Sequence, residues 1–131
     1  MATRHQVRNA VVSLLYAKEM GSEMNDFVSE YLEEKRIRND QRKFADKLFN
    51  GVCKNVNQID NELDKYLNEY KISQIGTVER AILRLGAYEI MYEAIDKAII
   101  INEAIELAKE LAGESSPKFI NGVLDRIGKV K

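Results

Sequence analysis

The chain has 131 residues, 45% of them apolar and 31% charged, and its formal net charge at pH 7 is −1. That length fits one domain, and the near-zero charge excludes overall basicity, so a nucleic acid would have to bind a local patch. A single cysteine excludes an internal disulfide, and no apolar run approaches the ~20 residues that span a membrane, so we expect a cytoplasmic protein without membrane association.

The low content of proline and glycine, one and seven residues, favours long helices joined by short loops. Apolar residues at helical spacing predict seven helices. In chain order they cover residues 4–20, a segment that begins at Ser22 or Asn25 and reaches 33–36, a segment from Asn39 or Asp40 to Val56, and then 59–70, 77–92, 100–112 and 117–127. Gly51 lies inside the third helix, where we expect it to mark close packing. At the last helix, we expect Ser116 to be the N-cap and Pro117 the first helical residue.

The fifth helix is apolar over more than half of its circumference, which predicts that it is central and the most buried. Residues 7–14 and 78–85 form a weak repeat, because each has a valine followed by alanine three positions later and leucine seven positions later. We therefore predict an all-α fold of about seven helices in two packed helical-bundle lobes. The lobes would be residues 1–70 and 71–131 of a single domain, 1–131. The alternative is that any two core helices share such a pattern.

The residue types argue against catalysis. His5 is the only histidine and lies near a chain end. Glu103 and Glu106 are three positions apart, but a two-metal site in a helical bundle also needs histidines. Cys53 lies at the edge of an apolar stripe, which favours a packing role over a reactive thiol. We therefore expect no enzymatic activity, no metal and no cofactor.

The first helix begins with positive charge and no acid. No acidic residue precedes Glu19, while Arg4, His5 and Arg8 fall in the first turns, where positive charge opposes the helix macrodipole. A bound anion would offset this unfavourable charge at the helix start. The pattern therefore favours contact of Arg4 and Arg8 with phosphate, although ordinary solvated charges would look the same.

The last helix repeats this arrangement. Lys118 lies at its start, beside free backbone N–H groups that suit a phosphate. Phe119 at this helix and Tyr16 in the first helix add rings on which unstacked RNA bases can lie. These features indicate single-stranded RNA as a ligand, with aromatic rings at the edge of the core as the alternative interpretation.

Two further charge clusters remain open in function. The first is basic and comprises Lys35, Arg36, Arg38, Arg42, Lys43 and Lys47, with Asp40 and Asp46 as its only acids. It either extends an RNA-binding track or, as we favour, forms a solvated loop. The second, residues 89–114, is acidic and suits a basic protein partner.

Three blocks of sequence carry a resemblance to a known family. They read Val78-Glu79-Arg80-Ala81-Ile82-Leu83-Arg84-Leu85, Asn102-Glu103-Ala104-Ile105-Glu106-Leu107-Ala108-Lys109, and Lys118-Phe119-Ile120-Asn121-Gly122-Val123-Leu124-Asp125. Arg8 and Tyr16 fit the N-terminal part of the same pattern. In this order and spacing the three blocks are specific to one family. The whole chain resembles the NusB family of bacterial transcription antitermination factors.

The resemblance implies binding to the boxA element of nascent RNA together with the ribosomal protein NusE. It further implies that this complex joins other Nus factors on RNA polymerase and suppresses premature termination in ribosomal RNA operons. Carried over by position, Arg4, Arg8, Tyr16, Lys118 and Phe119 would face RNA, and Glu79 would face NusE. Members of the family occur as monomers or homodimers, and the sequence favours neither state.

This chain departs from the family pattern at two places. It has fewer N-terminal arginines than the most basic members, which predicts weak RNA binding without the partner. Ser115 stands where some members carry an acidic residue, in the loop before the last helix. The competing hypothesis is a helical scaffold that binds a basic protein through its acidic face and never contacts RNA.

Overall fold

The structure is a computed structural model that describes residues 2–130, so the two terminal residues of the predicted domain lie outside it. Within that range the chain forms seven α-helices and no β-strand. The helices are α1 (Arg4–Glu19), α2 (Phe27–Glu34), α3 (Asp40–Lys54), α4 (Val56–Asp64), α5 (Thr77–Tyr92), α6 (Lys97–Leu111) and α7 (Ser116–Leu124), with a 3-10 turn at Ile72–Gln74. The predicted all-α fold is confirmed.

Several helix ends differ from the sequence prediction. α2 begins at Phe27 with Asp26 as its N-cap, so the prediction of a cap at Ser22 or Asn25 was wrong, and α7 ends at Leu124 instead of residue 127. α4 ends at Asp64 instead of near residue 70, and Asn68 has a positive φ of 57°, which breaks the helical pattern. α6 begins at Lys97 because the carboxylate of Asp96 accepts a hydrogen bond from the Ala98 N–H at 2.8 Å. α7 begins at Ser116, so the N-cap is Ser115 and the prediction of Ser116 as the cap was wrong.

α5 is the central helix, as its composition predicted. It packs against α1, α3, α4, α6 and α7. Every residue from 81 to 91 is buried except Arg84. The prediction of close packing at Gly51 is also confirmed, because the ring of Tyr88 occupies the space that a side chain there would need.

Buried side chains from all seven helices join in one continuous core. α6 and α7 pack mainly on each other and on α5, whereas α1 packs on α3 and α5. We retain the division into lobes 1–70 and 71–131 as a proposal in which α5 joins the two. In the part of the chain that the structure describes, no helix is long and apolar enough to cross a bilayer.

Candidate nucleic-acid interface

A capping box fixes the start of α1. The Thr3 hydroxyl accepts a hydrogen bond from the Gln6 N–H at 3.1 Å, and the Gln6 side chain accepts one from the Thr3 N–H at 2.8 Å. These reciprocal bonds satisfy two backbone donors that a helix start would otherwise leave free. The first turn, including Arg4, is therefore ordered rather than frayed.

The exposed Arg4 lies on an aromatic ring of α3. Its guanidinium carbon is 4.3 Å from the centre of the Phe44 ring. A cation over a ring face is attracted by the ring's quadrupole, which orients the side chain without neutralising its charge. Arg4 is thus held at the surface with its positive charge available to an anion.

Arg8 is not at the surface, which contradicts the expectation that it contacts phosphate. Only 4% of the residue is exposed, and its Nε and Nη2 donate to the two carboxylate oxygens of Glu89 at 2.9 and 3.0 Å. Burial raises the pKa of Glu89, and the bidentate bond from Arg8 opposes that shift. Arg8 therefore ties α1 to α5. Its position beside Val7, Val11 and Val12 could have indicated its burial, but not its partner.

His5 joins α1 to α6, which the sequence analysis missed. Its Nδ1 is 2.5 Å from Glu103 Oε2 and its Nε2 is 2.5 Å from Glu110 Oε1. Partial burial lowers the pKa of His5, but the two carboxylates outweigh that effect and raise it above its ordinary 6.5. The protonated imidazole can donate through both nitrogens, so His5 holds α6 beside the start of α1.

Tyr16 lies on the face of α1 that is turned towards α6. It is 11 positions after His5 and seven after Asn9, and these spacings place Tyr16 between the two, within about 20° of each around the helix. Asn9 donates to Glu110 at 3.0 Å, which identifies this face as the one beside α6. Tyr16 is 40% exposed and lies farther along α1, about one turn before Glu19, which pairs with Arg80 at the start of α5.

The first turn of α7 presents Lys118 and Phe119 to solvent. Phe119 is 37% exposed, and Lys118 is exposed as well. Among residues 2–130, no carboxylate lies within ion-pair distance of the Lys118 ammonium group. A free cation therefore stands beside an exposed ring at the start of a helix, as the sequence predicted.

Glu79, the predicted partner-binding residue, lies against the start of α7. Its carboxylate accepts a hydrogen bond from the hydroxyl of the buried Ser116 at 3.3 Å. Gly76 makes room for it, because a side chain there would come within 2.9 Å of Glu79 Oε1. Glu79 and the pair Lys118–Phe119 therefore sit at two helix starts that touch.

The predicted site residues thus fall into two groups. Tyr16, Glu79, Lys118 and Phe119 lie towards the start of α5 and α7, whereas Arg4 lies about 18 Å farther along the axis of α1. Arg8 belongs to neither group, because it is in the core.

The basic cluster at residues 35–47 is divided by its ion pairs. Four members have carboxylate partners: Arg38 with Glu33, Arg42 with Asp46, Lys43 with Asp40 and Lys47 with Glu93. Lys35 instead lies 5.5 Å from the centre of the Tyr31 ring, and Arg36 is exposed at the turn between α2 and α3. Arg42, Lys43 and Lys47 lie on α3, so the prediction that the whole cluster forms a loop was wrong. Most of its members have a carboxylate partner, but its first two do not.

Between residues 2 and 130, no three His, Cys, Asp or Glu side chains are arranged to hold a metal ion. Burial raises the pKa of the Cys53 thiol, with Lys18 and Arg84 opposing that shift. A thiol with a raised pKa is a poor nucleophile, which fits the packing role expected of Cys53.

Comparison with known proteins matches the chain to one family. The sequence profile described as the NusB family matches residues 5–129. The chain is 64% identical over 130 residues to the transcription antitermination protein NusB of Campylobacter fetus subsp. fetus, covering 99% of both chains. It is 60% identical over 131 residues to the protein of that name in Campylobacter jejuni strain RM1221, covering 100% of this chain and 99% of the relative.

Solved structures show the same fold. Thermotoga maritima NusB superposes with a TM-score of 0.88 at 32% identity, over 95% of this chain and 89% of that one. A structure of antitermination factors NusB and NusE in complex with double-stranded RNA superposes with a TM-score of 0.83 at 31% identity, over 93% and 92% of the two chains.

Proposed function

This chain belongs to the NusB family, and from that membership we propose that it is a non-catalytic antitermination factor that binds boxA RNA together with ribosomal protein NusE. One observation carries the proposal most directly. The hydrogen bond between Ser116 and Glu79 joins the helix start proposed for RNA to the helix start proposed for the protein partner. A similar protein has been solved with NusE and RNA together, which supports proposing both ligands for this chain.

Each side chain of the proposed surface has a role that follows from its chemistry. Arg4 and Lys118 contact phosphate, because both carry exposed charge near helix starts. Tyr16 and Phe119 stack on unpaired bases, since each offers a partly exposed ring. Arg8 acts indirectly by holding α1 against α5, and Glu79 meets the basic partner.

We expect the complex to act in the cytoplasm with RNA polymerase and other Nus factors, on transcripts of ribosomal RNA operons. Chain association would compete with this role if a homodimer covered Phe119. A monomer keeps the ring free for RNA.

The proposal is tested by fluorescence anisotropy with a short labelled boxA-like RNA, with and without purified NusE. We expect weak binding by the chain alone and tighter binding when NusE is present. The same bases in scrambled order are the control and should bind less well. Tight binding to NusE with no RNA binding under either condition would instead establish the protein scaffold.

A further inference from the structure

A basic cleft lies between the start of α1 and the turn that joins α2 to α3. Its volume is about 870 Å³, within the ~300–1,000 Å³ range of ligand sites. Its lining includes the cations Arg4, Lys35, Arg36 and Arg38 and the rings of Tyr31 and Phe44. Arg4 thus belongs both to this cleft and to the surface proposed above for RNA.

The cleft carries positive charge that the protein does not neutralise. Its acids are Asp40, which is exposed and 4.0 Å from Lys43, and Glu110, which is bound to His5. Arg38 is paired with Glu33 at 2.6 Å. Across residues 2–130, no carboxylate lies within ion-pair distance of the other three cations, Arg4, Lys35 and Arg36.

Two of the three unpaired cations are oriented by rings in the wall of the cleft. Arg4 lies over Phe44 at 4.3 Å, and Lys35 lies 5.5 Å from the centre of Tyr31. Such contacts limit the motion of the side chains while leaving their N–H donors free. The cleft therefore presents oriented donors rather than a diffuse positive field.

Arg36 occupies a backbone position that ordinarily favours glycine. α2 ends in a Schellman motif, in which Ile37 N–H donates to Leu32 O at 2.9 Å and Arg36 N–H donates to Glu33 O at 3.0 Å. Arg36 has a φ of 58°, the left-handed conformation that costs energy for a residue with a side chain. Glycine would form this turn with less strain, which makes the exposed guanidinium a candidate for ligand binding.

We propose that this cleft binds the sugar-phosphate backbone of the RNA strand where the strand continues past the boxA element. Lys35 and Arg36 would contact phosphates beyond Arg4, and the inference rests on the RNA-binding function proposed above. A phosphodiester strand fits because the cleft adjoins the proposed RNA surface at Arg4 and offers three cations without a carboxylate partner.

The test compares a core boxA-like RNA with the same RNA extended by unpaired nucleotides at one end or the other, in the presence of NusE. The extended RNA should bind more tightly, with a log–log salt slope steeper by roughly 1.4 for two contacts at ~0.7 each. A fourfold reduction in salt should then widen its advantage about sevenfold.

Two test variants and one control variant locate the effect. Lys35→Gln/Arg36→Gln should abolish the advantage of the extended RNA and leave binding of the core RNA unchanged. Lys54→Gln/Lys71→Gln is the matched control, because it removes two exposed lysines elsewhere and should retain the advantage. Arg36→Gly should bind extended RNA less well and yet unfold at the same or a higher temperature, since glycine is favoured in that backbone conformation.

Four outcomes would overturn the inference. Equal binding of core and extended RNA by the parent would do so while leaving the proposed function intact. An unchanged advantage in Lys35→Gln/Arg36→Gln would place the contacts elsewhere. Loss of the advantage on adding a stoichiometric free nucleoside monophosphate would identify a nucleotide site instead. Failure of the parent to bind either RNA would overturn both this inference and the function on which it rests.

Discussion

The starts of α1 and α7 both carry positive charge, but their surroundings differ. At α1, His5 is bound by two carboxylates and Arg8 is buried with Glu89, so only Arg4 keeps an available charge. At α7, Lys118 and Phe119 both face solvent. The difference teaches that a basic helix start can be a structural joint or a binding surface, depending on the acids that the fold brings to it.

The largest expected effect is at the structural joint. Arg8→Ala leaves the Glu89 carboxylate buried without its partner, and we expect the free energy of unfolding to fall by about 3–5 kcal/mol. Urea unfolding measures it. Arg8→Met/Glu89→Met is the control and should recover much of the loss, because paired apolar replacement removes both buried charges. A loss below about 1 kcal/mol in the single variant would show that the pair is exposed to water.

Next in size is the loss of a stacking ring at the binding surface. Phe119→Ala should weaken binding of boxA-like RNA by about 1–3 kcal/mol, the usual value of one stacked base, and change stability little. Anisotropy with NusE present measures it. Tyr70→Ala removes an exposed ring outside the proposed surface and is the control. Equal affinities of the two variants would remove Phe119 from the site.

A substitution in the core tests whether stability can be lowered without changing the binding surface. Gly51→Val places a side chain where the Tyr88 ring lies, and overpacking of this kind costs about 1–3 kcal/mol. Thermal unfolding checks the loss of stability. The RNA affinity of the folded fraction should stay at the parent value. A fall in that affinity would show that the core around Gly51 and the proposed RNA surface are coupled.

The smallest effect depends on pH. The folded-state pKa of His5 is raised, so its stabilising contribution is complete below the unfolded value of about 6.5 and is lost as pH rises through the folded value. His5→Gln should therefore be less stable than the parent at acidic pH, by a few tenths to 1 kcal/mol because the site is partly exposed. Urea midpoints across this range measure the difference, which should shrink at alkaline pH. A constant difference would mean that His5 is not protonated.

Local patterns were sufficient for much of the fold. Helical spacing of apolar residues predicted all seven helices and the central position of α5, because burial of one face is a property of a single segment. α4 was predicted too long, since Tyr66 and Leu67 keep the apolar spacing although the chain has already turned.

The pairing of charges was out of reach of the sequence. Arg8 and Glu89 are 81 positions apart, and His5 and Glu103 are 98 apart, so only the packing of α1 on α5 and α6 brings them together. Exposure at Lys118 and Phe119 was predictable, because both lie at the edge of a short amphipathic helix. The sequence thus located the basic residues but did not determine which of them were free.

The most direct test of the account is photo-crosslinking of a boxA-like RNA that carries 4-thiouridine, bound in the presence of NusE, with the modified residues located by mass spectrometry. We predict adducts at Tyr16 and Phe119, because both rings would lie against bases on one surface. Adducts confined to other exposed rings, such as Tyr70, would contradict the proposed binding surface.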